Sequence, residues 1–179
     1  MLTIIISIIC GVVFFLQLSG VISVTQFAIL PSLVMQGQVY RLLTGALMHA
    51  SYYHLFGNLG AFINVGGFIE RIYGRKNYAQ ILLGSLLGSG LLVTFLSRDI
   101  YTVGLSGVVW GTFGAYTVYL YKNDNHLDAA ELTQIARMLV PNIIISLLPG
   151  VSWQGHAGGF LGGLLVTLLL PFERRNDYL

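Results

Sequence analysis

Gly104-Leu-Ser-Gly-Val-Val-Trp-Gly-Thr-Phe-Gly-Ala-Tyr-Thr-Val-Tyr-Leu-Tyr121 contains no charged residue, carries one serine near its start and stops at Lys122. A hydrocarbon core about 30 Å thick is crossed by about 20 apolar residues, so this stretch reads as a membrane-spanning helix. Working outward, five further segments read the same way: 3–22, 53–72, 78–97, 136–149 and 155–171. The expectation is an all-α integral membrane protein, a six-transmembrane-helix bundle forming one domain over residues 1–179.

Composition agrees with that reading. The chain is 55% hydrophobic and 9% charged, with a mean hydropathy of +0.77, whereas soluble domains average roughly 25% charged residues. A net charge of +2, scattered along the chain, argues against nucleic-acid binding. The single Cys10 excludes an intrachain disulfide framework and a cysteine-based metal site. Leu2 to Leu18 lacks the positive n-region and clean small-residue cleavage site of a signal peptide, and is read as an uncleaved first span. Ile9 stands where a lipidation site at Cys10 would want a small residue, so Cys10 is read as inert. The long first loop, from Ser23 to about Tyr52, is too apolar for a solvated loop and too broken for a span. Short interfacial helices are expected there. The polar stretch Lys122–Gln134, with Asp124, His126, Asp128 and Glu131, is read as a solvated linker, and Phe172–Leu179 as a short polar tail.

Lysine and arginine placement gives an orientation. With a cytoplasmic N-terminus, Arg71, Arg75, Lys76, Lys122, Arg137, Arg174 and Arg175 fall inside and only Arg41 and Arg98 outside. Both termini are therefore expected in the cytoplasm. Spans two, four and six then all run inward, which brings His54, Ser106 and His156 to one depth near the outer face, each close to a helix N-terminus. Ser106 to Tyr121 covers about 24 Å of helix at 1.5 Å per residue. Ser106 is thus expected several Å below the outer surface, in a water-filled cavity open outward.

Most polar side chains in the spans are serine or threonine, which a helix satisfies with its own carbonyls. The exceptions are His49, His54, Asn58, Asn64, Asn142 and His156. Ionisable groups at membrane depth are costly and face the bundle interior. A serine hydroxyl needs a base to take its proton, and His156 is the candidate for Ser106. No Asp or Glu lies in an outer half-span, and Asp99 sits in a loop, so a Ser–His dyad is expected rather than a triad. Trp110, one turn after Ser106, either packs generically or steadies the His156 ring. His54 and Asn58, four apart, share a helix face. They are either an interhelical polar clamp or, with the Ser106 backbone N–H, donors to a developing oxyanion. Gly107 and Gly111 in span four, and Gly155, Gly158, Gly159, Gly162 and Gly163 in span six, are spaced for close helix approach. Gly84 and Gly88 in span three are read as packing residues.

Three motifs together resemble those of the rhomboid family of intramembrane serine proteases, in its minimal six-span bacterial form. They are His49-x-x-x-x-His54-x-x-x-Asn58, Gly104-Leu-Ser106-Gly107 and Gly155-His156-Ala-Gly-Gly159. The resemblance implies a Ser106–His156 dyad, an oxyanion hole including His54 and Asn58, and a structural His49. It implies that Gly159 permits close packing of spans four and six. It also implies transmembrane protein substrates, a bilayer setting in a bacterial cytoplasmic membrane, and no metal or cofactor. A lateral substrate opening near span five, capped by Pro149–Gln154, is expected on the same ground. Glu70-Arg71 resembles a structural anchor of the family. Tyr40-Arg41, Trp110 and Gly155 stand where many members have Trp-Arg, Tyr and Ala; none of these exchanges removes a reacting atom. Two other function classes compete. One is a non-proteolytic rhomboid-like protein that captures membrane clients. The other is a channel, transporter or haem or metal protein using His49, His54 and His156.

Overall fold

The structure, a computed structural model, describes residues 1–124 and 128–171. His126, Arg174, Arg175 and the tail Phe172–Leu179 lie outside the described residues, as does the side chain of Asp124. The described chain is helical: α1 (Leu2–Leu18), α2 (Val24–Phe27), α3 (Pro31–Met35), α4 (Arg41–Leu47), α5 (Tyr52–Ala61), a π-helical turn (Phe62–Gly66), α6 (Gly67–Leu96), α7 (Ser106–Asp124), α8 (Ala129–Ser146) and α9 (Trp153–Leu169). By length and composition, one continuous run among the described residues, Tyr52–Leu96, is apolar enough to cross a membrane; Leu2–Leu18 is a shorter apolar helix.

That long run is not one rod. Gly74 adopts φ +73°, ψ 164° inside α6, a conformation that costs a residue with a Cβ far more than it costs glycine. The break separates a leg ending at 73 from a leg over 75–96. Residues on the two sides meet the same neighbours: Thr3 Oγ1 bonds both Glu70 and the Tyr78 hydroxyl. The chain therefore folds back at Gly74.

The first loop condenses into α2, α3 and α4 rather than open coil. Arg41, 4% exposed, binds this region together. Its Nη1 donates to the carbonyls of Thr25 and Ala28 at 3.0 and 2.7 Å, and its Nε donates to Gln38 Oε1 at 2.8 Å. The cost of burying the guanidinium is offset by these bonds. Asp99 accepts from the Ser32 N–H at 2.8 Å, near the start of α3. An antiparallel bridge, Ile29 to Thr102, ties the loop to the segment leading into α7.

Helix ends are held by side chains from other helices. Glu70 accepts from the N–H groups of Leu2 and Thr3 and from Thr3 Oγ1, at 2.5, 3.0 and 2.7 Å. A carboxylate here satisfies donors that α1 leaves open and meets the positive end of its dipole. At the other end of the fold, Lys122 Nζ donates to the carbonyls of Thr167, Leu168 and Leu170 at 3.0, 3.0 and 2.8 Å, capping α9.

The expected solvated linker Lys122–Gln134 requires correction. α8 begins at Ala129, because Asp128 and Glu131 form a reciprocal capping box. Polar residues read as linker are helix-start signals. Serines and threonines within the helices do back-bond: Ser85 to Ile81 O, Thr94 to Gly90 O, Thr112 to Val109 O and Thr167 to Gly163 O.

The core is built on α9, which lies between the second leg of α6 and α7. A Cβ built on Gly88 would stand 2.3 Å from the Gly158 carbonyl oxygen, and one on Gly162 would stand 2.1 Å from that of Gly84. On the other face, a Cβ on Gly159 would stand 1.8 Å from the Gly107 carbonyl oxygen, and one on Gly163 would stand 2.2 Å from that of Gly111. Only hydrogen side chains allow backbones this close. By contrast, α8 lies at the edge, with Ser146 its one buried residue.

Candidate active site

Ser106, His156, His54 and Asn58 stand in the first turns of helices, and local sequence explains why. Ser51 Oγ accepts from the His54 N–H at 3.2 Å and starts α5; Ser152 Oγ accepts from the Gly155 N–H at 3.2 Å and starts α9. Gly104, with φ +117° and its N–H donating to the Gly45 carbonyl at 2.9 Å, turns the chain into α7 at Ser106.

These turns converge. Ser106 Oγ and His156 Nε2 are 2.9 Å apart. The Trp110 ring stacks on the His156 ring, with centroids 5.4 Å apart and planes 23° from parallel. Of the two uses considered for Trp110, the geometry is that of a ring lying on the imidazole. His156 is 8% exposed, and its Nδ1 lies 2.6 Å from Ser146 Oγ. The sequence reading missed Ser146. No motif marks it, but α8 and α9 are joined by a short turn, so residues 146 and 156 fall opposite each other in a hairpin.

His54 and Asn58 face the same point from α5. A Cβ at Gly104 would stand 2.6 Å from His54 Nε2 and 3.3 Å from Asn58 Nδ2. Asn58 is 9% exposed, and its Nδ2 has no hydrogen-bond partner among the described residues. An interhelical clamp would use that donor, whereas here it is left for another acceptor. His54 Nδ1 accepts a long bond, 3.5 Å, from the Ala50 N–H. That assignment puts the ring proton on Nε2, the atom facing Gly104.

His49 stands apart from the Ser106–His156 pair. It is 1% exposed, and its backbone N–H and carbonyl pair with the Gln17 side-chain amide at 3.2 and 3.0 Å. Its ring meets that of His54 edge-on, with centroids 5.2 Å apart. Among the described residues, no three His, Cys, Asp or Glu side chains converge as metal ligands do. Gly107, next to Ser106, and Gly159, about one turn after His156, let α7 and α9 meet beside the Ser106–His156 contact. A Cβ on Gly107 would also strike Ser89 Oγ at 2.1 Å.

The groups line a cavity of about 1010 Å³, whose wall includes His54, Asn58, Ser106, Tyr101, Trp153 and His156. It is large enough for a stretch of peptide with water beside it. A serine hydroxyl on an imidazole, beside two N–H donors at helix starts, is an arrangement suited to acyl transfer.

The rhomboid domain matches residues 36–171. The chain belongs to the rhomboid family. RHOMBOID-like protein 1 of Arabidopsis thaliana is 31% identical over 155 residues, covering 78% of this chain and 38% of that protein. Inactive RHOMBOID-like protein 8 of the same plant is 31% identical over 139 residues, covering 76% and 39%. Rhomboid protease GluP of Bacillus subtilis is 27% identical over 148 residues, covering 82% and 29%. The chain thus spans well under half the length of these three relatives. The family is one of integral membrane proteins. It includes proteases that act on membrane-protein substrates within the bilayer, and also inactive members.

Proposed function

We propose that this rhomboid-family chain is an intramembrane serine endopeptidase that cuts transmembrane proteins in or near their membrane segments. The observation that carries the reading is the 2.9 Å approach of Ser106 Oγ to His156 Nε2. In the proposed reaction, His156 Nε2 takes the Ser106 proton as Oγ attacks the substrate carbonyl. The oxyanion that forms is met by Asn58 Nδ2, His54 Nε2–H and the Ser106 N–H at the positive end of α7. The imidazolium then returns its proton to the leaving amine, and water releases the acyl group by the same steps in reverse order. The chemistry uses no metal or cofactor.

The proposal includes one domain of six spans: α1, the two legs on either side of Gly74, α7, α8 and α9. Both termini lie in the cytoplasm, as in the minimal bacterial type, and the cavity opens outward. The excess of Lys and Arg at the inner connections supports this orientation. Entry of substrate beside α8 is part of the same reading, supported by how little of that helix is buried.

A second reading, a client-binding protein without protease activity, draws on the 31% identical relative named as inactive. Against it, this chain has both the serine and the histidine, within hydrogen-bond distance. The deciding experiment is cleavage of a generic transmembrane substrate in liposomes by the wild type, Ser106→Ala and His156→Ala. Cleavage by the wild type alone supports the protease. Retained cleavage by Ser106→Ala refutes the dyad. No cleavage by any chain, with no fluorophosphonate labelling of Ser106, favours client binding.

A further inference from the structure

We propose that Ser146 is a positioning residue for His156, holding the imidazole in the tautomer and orientation that the base requires; its kinetic consequence rests on the protease reading above. The contact is short and buried: Ser146 Oγ lies 2.6 Å from His156 Nδ1, with Ser146 6% and His156 8% exposed.

Proton bookkeeping gives the bond its direction. A serine hydroxyl has one proton. Ser146 Oγ also lies 2.7 Å from the Asn142 carbonyl oxygen, which only accepts. If the hydroxyl donates to that carbonyl, its lone pair accepts from His156 Nδ1–H, and both contacts are satisfied. If it donates to Nδ1 instead, two oxygens face each other at 2.7 Å with no proton between them. The first arrangement leaves Nε2 bare toward the Ser106 hydroxyl, 2.9 Å away. During proton transfer from Ser106 to Nε2, the Nδ1 proton stays on the ring, bonded to Ser146. Ser146 keeps its own proton on the α8 backbone.

Among the described residues, no carboxylate takes this place. Every described carboxylate side chain is engaged elsewhere: Glu70 at the start of α1, Asp99 on the Ser32 N–H, and Asp128 and Glu131 at the start of α8. A hydroxyl orients the ring without bringing a charge to membrane depth, where a carboxylate is expensive. Ring stacking by Trp110 fixes the plane of His156 but not which nitrogen carries the proton. Ser146 supplies that second constraint.

The test compares wild type with Ser146→Ala and Ser146→Cys in full-length protein, by two readouts. In micelles with ¹⁵N-labelled histidine, the resonance lost in His156→Ala is expected to show protonated Nδ1 and bare Nε2 in the wild type. Ser146→Ala is expected to give a mixture of tautomers. In liposomes, Ser146→Ala is expected to lower kcat about tenfold with KM unchanged, the scale of one lost neutral hydrogen bond. Ser146→Cys, which keeps a weaker acceptor, is expected to fall between. An unchanged tautomer spectrum in Ser146→Ala overturns the proposal, whatever the activity. Wild-type kcat in Ser146→Ala overturns the kinetic role. If even the wild type cleaves nothing, the protease reading fails, and the spectrum alone still decides whether Ser146 holds the ring.

Discussion

Gly159→Ala probes the packing behind the proposed Ser106–His156 dyad without altering either of those residues. The added Cβ would stand 1.8 Å from the Gly107 carbonyl oxygen and 2.6 Å from its carbon, where real Cβ atoms essentially never come closer than 3.0 Å. The obstacle is backbone on one side and backbone on the other, so no side chain can rotate away. Relief requires α7 and α9 to part by about 1.2 Å. His156 and Ser106 sit on the same two helices, and their 2.9 Å contact would open toward 4 Å, beyond hydrogen-bond reach. A 1 Å misplacement of reacting groups costs about 100-fold. We expect kcat in liposomes to fall by about that factor, with fluorophosphonate labelling of Ser106 slowed in parallel. Gly11→Ala is the control, since nothing lies within 4 Å of its added Cβ. Wild-type kcat in a folded Gly159→Ala protein would refute the argument that this glycine contact sets the Ser106–His156 distance.

Three further outcomes follow from the same geometry. Asn58→Ala removes a buried donor that has no partner among the described residues; kcat should drop about 10²–10³-fold with little change in thermal stability in detergent. Gly104→Ala forces a side chain into φ +117° and against the His54 ring, and should lose about 1–3 kcal/mol of stability as well as activity, read by thermal denaturation and cleavage together. Lys122→Met uncaps the last carbonyls of α9 and should cost about 1.5–3 kcal/mol while leaving the kinetics of the folded fraction unchanged.

How much of this was legible in the sequence depended on what each residue advertises. Ser106 and His156 stand in glycine-flanked motifs that single them out, and the fold brings the two side chains within 2.9 Å. Apolar runs marked where helices lie, because period and length are local properties. The start of α8 was missed because Asp128 and Glu131 have two uses, solvation and capping, and polarity alone favoured the first. Ser146 was missed for a different reason. A serine in an apolar helix ordinarily bonds its own carbonyl, as Ser146 does to Asn142. Its second bond, to His156, depends on how two helices meet across a turn. Likewise, a stripe of glycines announces close packing but not the partner; only the fold shows α9 using one glycine face for α6 and the other for α7.

The glycine faces of α9 also bear on what may vary in this protein over time. A distance maintained by interlocking side chains drifts whenever one of them is exchanged. Here the spacing between α7 and α9 is gauged by main chain against main chain, which every residue shares. The exposed Leu, Ile and Val positions can be replaced by other apolar residues without moving that gauge. Its tolerance is spent at a few sites where even a methyl group is too much. A scaffold of that kind can lose most of its sequence identity and still keep two atoms 2.9 Å apart.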